Sequence, residues 1–295
     1  MGTTVSVIIP TYRRAEFLPR AVESVLGQSY PEVEAVVVDD NGEGAAREET
    51  RGRIAPYLSK RVRYIENERN LGGALARNAG IGGAAGDYIT FLDDDDIYLP
   101  DKVSIQLARM EEKGWDMSFM NADIRDPSGK LIEHKRFDLP EEAGREALLV
   151  SHLLCHLTPT ATYMYRAEKL RELGGFEDAK TAHEYLLMLR SIEKGLKIGY
   201  IDETQVVQYV HPGERITTGD KKIAGENYLY EVKRRYFDRL TPAQRRAVAV
   251  RHRATLFIAK LRRKEYLPAL AEGVGAVAAS PAAAYRLFRA RKNDL

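Results

Sequence analysis

Alternating short apolar strands and amphipathic helices over the first 120 residues predict an α/β fold, a mainly parallel sheet with helices on both faces. Two observations support it: the strands read as near-continuous apolar runs, as buried parallel strands do, and two of them end in acidic clusters, at the edge where such sheets gather ligands. The first strand is Val5-Ser-Val-Ile-Ile, stopped by Pro10. Leu18, Ala21, Val22, Val25 and Leu26 then recur at helical spacing and give one apolar stripe. Pro31 separates that helix from a strand over 33–38, which ends in Asp39-Asp40. A polar stretch with a helix follows, then a strand at 61–65, a helix over 73–81, and a strand at 87–92 ending in Asp93-Asp-Asp-Asp96. Beyond Lys113 the pattern loosens: strands are expected at 116–121 and 160–165, a helix at 182–194 stopped by Gly195, and edge strands at 197–201 and 205–210. From Thr241 the chain reads as helical, an extension to the α/β body.

With 44% hydrophobic and 30% charged residues, the 295-residue chain reads as soluble and globular. Its single cysteine, Cys155, excludes an internal disulfide framework and suits a reducing compartment. Met1 leads almost at once into the first strand, without the basic and apolar regions of a secretory signal. The net charge of +2 hides an asymmetry: residues 245–295 carry a surplus of about nine positive charges, leaving the body at about −7. An acidic body argues against nucleic acid as a partner, since duplex affinity needs clustered positive charge.

Four adjacent aspartates at a strand end repel one another, more so in a pocket of lowered dielectric. In an extended segment Asp93 and Asp95 point the same way and can share one cation. A hard divalent ion, Mn²⁺ or Mg²⁺, suits such oxygen ligands and keeps room for phosphate oxygens. The bland alternative is a solvated acidic turn leading into a helix from about Pro100. The run's place at the ligand edge favours the cation.

Four ordered segments carry a resemblance. Val5-Ser-Val-Ile-Ile-Pro-Thr-Tyr-Arg-Arg with Ala21-Val-Glu-Ser-Val-Leu-Gly-Gln-Ser-Tyr, Val36-Val-Val-Asp-Asp, Asn70-Leu-Gly-Gly-Ala-Leu-Ala-Arg-Asn-Ala-Gly and Asp87-Tyr-Ile-Thr-Phe-Leu-Asp-Asp-Asp-Asp together resemble family 2 glycosyltransferases of the GT-A, Rossmann-like kind. The resemblance implies an inverting enzyme that moves a sugar from a nucleotide-sugar, commonly a UDP-sugar, to a hydroxyl of a glycan or lipid-linked acceptor, with Mn²⁺ or Mg²⁺ as cofactor. Pro10, Thr11 and Tyr12 would lie against the nucleoside and Asp40 would bond the base. Asn70 and Arg77 would lie near the nucleotide pocket, with Asp93 and Asp94 on the donor side. Asp95, with Asp93, would hold the metal. The family's catalytic acid follows a Gly-Gly-Phe turn. Here Gly174-Gly175-Phe176 is followed by His183-Glu184, so Glu184 is the expected base and His183 its rival. Tyr209-Val-His211 resembles the family's Tyr-Arg-x-His stretch, which makes His211 a third metal candidate.

On this reading residues 1–240 form the catalytic domain, with a nucleotide-sugar half at 1–115 and an acceptor half at 116–240, and 241–295 form a basic helical extension. The role expected is cell-surface polysaccharide or glycoconjugate synthesis, in the cytoplasm or at the inner membrane face. Rival readings are a nucleotidyltransferase of similar fold and a non-catalytic sugar-nucleotide-binding module. An oxidoreductase fits less well: Gly80-Ile-Gly82-Gly-Ala-Ala85 matches G-x-G-x-x-A but precedes a strand instead of following one. The extension suits either peripheral contact with an anionic membrane, through Tyr285, Leu287 and Phe288 beside Arg286, Arg289 and Arg291, or packing on a second subunit. His152 and His156 flank Cys155 on one helix face but lack a third ligand for zinc.

Overall fold

In the computed structural model, which describes residues 2–179, 181–210 and 220–293, four parallel strands form the heart of the sheet. These are β1 (Val5–Thr11), β2 (Val33–Asp39), β3 (Val62–Glu66) and β4 (Tyr88–Phe91). β1 lies between β2 and β4, and β3 adds to the far side of β2. β2 is buried at every position, Glu34 included, in keeping with its Ala35-Val-Val-Val38 run.

Alternation along β1 assigns the two faces. Val5, Val7 and Ile9 share a cluster with Leu18, Ala21, Val22 and Val25 of α1 (Leu18–Leu26) and with Val103, Leu107 and Met110 of α4 (Lys102–Lys113). The opposite face receives α3 (Gly73–Gly83), which follows α2 (Ala45–Ile54) and β3. A Cβ on Gly80 would stand 2.4 Å from Ile8 Cγ2, and one on Gly83 2.4 Å from Ile65 Cδ1. These two glycines let α3 sit close on the sheet. Of the two fixed glycines in the G-x-G-x-x-A match only Gly80 packs there, Gly82 meeting nothing within 4 Å, and both lie inside α3 instead of at a strand-to-helix turn.

The second half extends the sheet with β5 (Ile97–Tyr98), β6 (Met117–Arg125), β7 (Leu131–Lys135), β8 (Met164–Arg166) and β9 (Ile198–Tyr209). The strand order is β3-β2-β1-β4-β8-β6-β9-β5, with β7 on β6. β8 joins β4 to β6 antiparallel, and β6 and β9 run parallel. Two expectations change here. The two edge strands read at 197–201 and 205–210 are one strand, β9, lying between β6 and β5. A register shift makes Met120 pair with Ile201 but Asn121 with Thr204, so Asp202 and Glu203 are carried in a bulge. Asp202 there accepts from Asn121 Nδ2 at 2.9 Å and Arg136 Nε at 2.8 Å. The strand expected at 160–165 shrinks to β8, because residues 160–162 form a helical turn in which the Thr162 hydroxyl donates to Pro159 O at 2.7 Å.

Two compact units result: Met1–Arg145, Leu157–Ala179 and His183–Val210 form one, Glu146–His156, Lys180–Ala182 and His211–Leu295 the other. The first holds the sheet, α6 (Ala167–Glu172) and α7 (His183–Glu193). The second gathers nearly all of α5 (Arg145–Cys155), then α8 (Asp220–Arg234), α9 (Pro242–Arg262), α10 (Tyr266–Ala279) and α11 (Pro281–Asn293). Its limit therefore lies away from the residue-240 boundary expected from sequence, since α5 and α8 group with the tail. α9 starts with a capping box: Gln244 N donates to Thr241 Oγ1 at 3.3 Å and Thr241 N to Gln244 Oε1 at 2.8 Å. Within this unit Arg251 donates to Leu154 O at 3.1 Å, and His252 stacks on Tyr230 at 4.1 Å.

Candidate active site

The carboxyl ends of β1, β2 and β4 lie side by side and bring Thr11, Asp39-Asp40 and Asp93–Asp96 to one edge of the sheet. Asp40 N donates to Thr11 O at 2.9 Å, which fixes the step from β2 into the loop. Asp39 is fully buried; its carboxylate accepts from Asn41 N at 2.8 Å and from the Tyr64 hydroxyl. Asp40, also buried, accepts from Asn67 Nδ2 at 2.8 Å and from the backbone N–H groups of Leu71 and Gly72 at 2.9 Å each. The residue expected to bond a base thus organises the 67–72 loop, using three of the roughly four lone-pair sites of a carboxylate. Asn67 is in turn gripped by Arg47 of α2, whose guanidinium donates to its carbonyl.

The four aspartates do not continue the strand. Asp96 N donates to Asp93 O at 3.1 Å, closing a turn, so the strand alternation expected to align Asp93 with Asp95 does not operate. Self-repulsion among them is met by cations from neighbouring elements. Arg14 donates to Asp95 Oδ2 at 2.6 Å and lies 3.6 Å from Asp94 Oδ1. Arg77 of α3 pairs with Asp93. Arg20 of α1 donates to Asp95 O at 2.6 Å, and its guanidinium lies 4.1 Å over the Tyr209 ring. Asp96 accepts from Gln208 Nε2 and Tyr209 N, both at 3.0 Å, and so anchors the end of β9.

Burial pushes the Asp94 carboxyl up to about 7; the Thr11 hydroxyl and Arg14 oppose the rise, while Asp95 and Asp93 add to it. The Thr11 hydroxyl is itself buried without a hydrogen bond of ordinary geometry. Asp96 is pushed well above the usual carboxylate range, first by burial and then by Asp93 and Asp95. An edge that resists holding all its negative charge, with hard oxygen donors only, has the chemistry for a divalent cation. Among the described residues no three His, Cys, Asp or Glu side chains form a ready cage. Asp93 and Asp95, the two expected ligands, are each paired with a different arginine, Arg77 and Arg14; His211 lies outside the described residues.

The second-half candidates reach the same edge through α3. Asn78 Nδ2 donates to Phe176 O, and Phe176 N donates to Asn78 Oδ1, both at 2.8 Å. The Gly174-Gly175-Phe176 turn is thereby tied to α3, with Gly175 at φ +67° where a Cβ would meet Asn78 Oδ1 at 2.4 Å. Arg190 of α7 donates to the carbonyls of Leu173, at 3.2 Å, and Gly175. Phe176 packs edge-on against Phe91 at 5.1 Å and lies 5.7 Å beneath the Arg77 guanidinium. His183 opens α7, and its imidazole is held below its ordinary value by burial; Glu184 opposes the shift and Arg77 reinforces it. Arg77, Asp93, His183 and Glu184 are therefore one electrostatic neighbourhood. Among the described residues the half-buried Glu184 carboxylate makes no hydrogen bond, unlike Asp40, Asp93, Asp95 and Asp96.

Of the remaining candidates, Pro10 and Thr11 close β1, Tyr12 is 41% exposed with Arg13 5.1 Å over its ring, and Asn70 is exposed beside the Asp40 loop. Sequence reasoning assigned no role to Arg14, Arg20, Asn67 or Asn78. For Arg14 the signal was charge: a cation in the loop after β1 faces the one acidic run at the same sheet edge. Asn67 bonds the Asp40 carboxylate 27 positions away and Asn78 bonds backbone groups of Phe176, contacts that leave no compositional trace.

A mixed, mostly parallel sheet flanked by helices, with acids at the ends of β2 and β4, defines a GT-A type sugar-nucleotide fold. The glycosyl transferase family 2 profile matches residues 6–174, and the chain belongs to that family. It is 27% identical over 241 residues to the putative teichuronic acid biosynthesis glycosyltransferase TuaG of Bacillus subtilis, covering 80% of this chain and 91% of the relative. An uncharacterized glycosyltransferase of Rickettsia felis is 41% identical over 131 residues; the match takes 44% of this chain but spans only 21% of that relative's length. The crystal structure of S. aureus TarS 1-349 in complex with UDP-GlcNAc superposes with a TM-score of 0.60 at 19% identity, covering 94% of this chain and 81% of TarS 1-349.

Proposed function

We propose that the protein is an inverting glycosyltransferase that moves a sugar from a UDP-sugar to a hydroxyl of a growing glycan or lipid-linked acceptor, in cell-surface polysaccharide synthesis. The observation that carries the reading is the half-buried Glu184 carboxylate at the start of α7, which shares the electrostatic surroundings of His183 with Arg77, the partner of Asp93. The family membership and the UDP-GlcNAc complex of the TarS fold support the donor class. Glu184 takes the proton of the acceptor hydroxyl as that oxygen attacks the anomeric carbon from the face opposite the leaving group. One displacement inverts configuration and needs no protein nucleophile.

A divalent cation held by Asp93 and Asp95 supplies Lewis-acid stabilisation of the departing diphosphate when bound. Arg14 and Arg77, which share those carboxylates here, are the cations within reach of the diphosphate once the donor enters. Tyr12 presents an exposed ring for the nucleoside, beside Pro10 and Thr11. Asp40 holds the loop against which the base rests, and Asp94, Asn70 and His183 line the surroundings.

The test is transfer from a panel of UDP-sugars with Mn²⁺. Glu184→Gln should lower turnover by about 10²- to 10⁴-fold while UDP affinity, measured by calorimetry, changes little; Asp95→Ala and chelation should abolish transfer. Unchanged turnover in Glu184→Gln refutes the base assignment. UDP binding with silence across all donors favours a non-catalytic module.

A further inference from the structure

We infer that the outer face of α10 docks on an anionic lipid surface. The inference rests on the helical unit alone and is independent of the sugar-transfer reading. A surface helix ordinarily turns its charges to water and its apolar stripe to the core. α10 does the reverse. Tyr266, Leu267, Leu270, Val274 and Val277 are 64%, 81%, 59%, 62% and 53% exposed. At 100° per residue they fall within an arc of about 100°. The helix's one charged residue, Glu272, points to α9, accepting from Lys260 at 2.8 Å and Arg253 at 3.1 Å, while the small Ala269 and Ala276 fill the buried side. No charge interrupts the outer face over its whole length.

Positive charge frames this face. Arg262-Arg263-Lys264 precede α10, with Arg263 paired to Asp220 and, at 2.8 Å, to Glu265, and Arg286 follows on α11; by sequence alone Arg289, Arg291 and Lys292 add further positive charge. Tyr285, 63% exposed, and Arg286 are exposed neighbours on α11. Fourteen residues span about 21 Å, short of a hydrocarbon core of about 30 Å, and α10 and α11 meet at a bend of 117°. Among the described residues no single helix is long and apolar enough to cross a membrane. The geometry is that of a helix lying in the interface, apolar side chains down and basic residues at both ends. A second copy is the poorer occupant. Pairing two such faces in either direction sets basic ends against basic ends, a repulsion that anionic headgroups instead relieve.

The experiment is flotation of the full chain with vesicles of phosphatidylcholine containing about 30% phosphatidylglycerol, against pure phosphatidylcholine. The protein should float with the anionic vesicles and bind neutral ones at least about tenfold more weakly, with binding reduced by salt. Leu267→Asp with Val274→Asp should lower anionic binding by about tenfold or more, and Arg286→Ala by about fivefold. Both apolar sites are exposed, so folding should survive, checked by circular dichroism and by UDP affinity. Should the double variant misfold, Leu267→Gln alone tests the same face. Equal binding to neutral vesicles, no flotation of the unaltered protein, or variants that float unchanged would overturn the inference. So would a dimer in light scattering that the Leu267→Asp/Val274→Asp change dissolves.

Discussion

Replacing Asp40 by Asn separates a loop-building role from a base-reading one. The carboxylate is buried and accepts three hydrogen bonds of 2.8–2.9 Å, one from Asn67 and two from backbone N–H groups. An asparagine of the same shape offers one oxygen; its NH₂ must face at least one of the donors. That leaves a buried N–H unsatisfied, about 1–3 kcal/mol, and removes the charge assistance from the remaining bonds. The expected loss is about 3 kcal/mol, or about 6–12 °C in melting temperature for a unit of this size. Thermal unfolding followed by calorimetry, paired with UDP titration, is the assay. UDP affinity should fall only in proportion to the loss of an ordered 67–72 loop and recover at lower temperature. A variant that melts like the parent yet loses UDP binding would refute the structural role and return Asp40 to direct contact with the base.

Three further outcomes follow from the same contacts. Gly175→Ala forces a Cβ to 2.4 Å from Asn78 Oδ1 at a positive φ; it should cost about 1–3 kcal/mol and lower kcat more than donor affinity, as read by steady-state kinetics and urea unfolding. Asn78→Ala removes both bonds to Phe176 and should cost about 2 kcal/mol with the same kinetic signature. In the helical unit, burial and then Arg251 push Lys233 down to about 8, with its amine donating to His156 at 2.6 Å. The folded state thus disfavours the charged lysine: the penalty is fully present below pH 8 and is relieved as pH rises toward the ordinary value near 10.5. Stability should gain up to about 3 kcal/mol across that window relative to Lys233→Met, measured by paired urea unfolding curves; parallel curves would refute it.

β1, β2 and β4 were legible because each is a largely apolar run closed by a proline or an acid and buried on both faces; β3, Val62-Arg-Tyr-Ile-Glu66, is the partly exposed edge strand and reads less clearly. β9 was misread because Asp202 and Glu203 look like a break, whereas a bulge accommodates them and Arg136 with Asn121 satisfies Asp202. The acidic edge was visible as four aspartates in a row, but a sequence does not tell a turn from an extended tip. Arg14, Arg20 and Arg77, from three different elements, decide how each carboxylate is held. Asp40 shows the same limit: its three donors lie 27 to 32 positions away, two of them backbone N–H groups. Glu184 is proposed only through the Gly-Gly-Phe turn that precedes it, and Asn78, which bonds that turn, is silent in composition.

The close seating of α3 has a consequence one turn earlier in the same helix. Because Gly80 and Gly83 present no side chain to Ile8 and Ile65, the helix axis rides low over the strands, and Arg77, one turn earlier, is lowered with it toward Asp93. Two missing methyl groups in the last turns of the helix thus set the elevation of a guanidinium at its middle. Thickening that floor would lift the arginine from its carboxylate without altering any residue that touches the reaction.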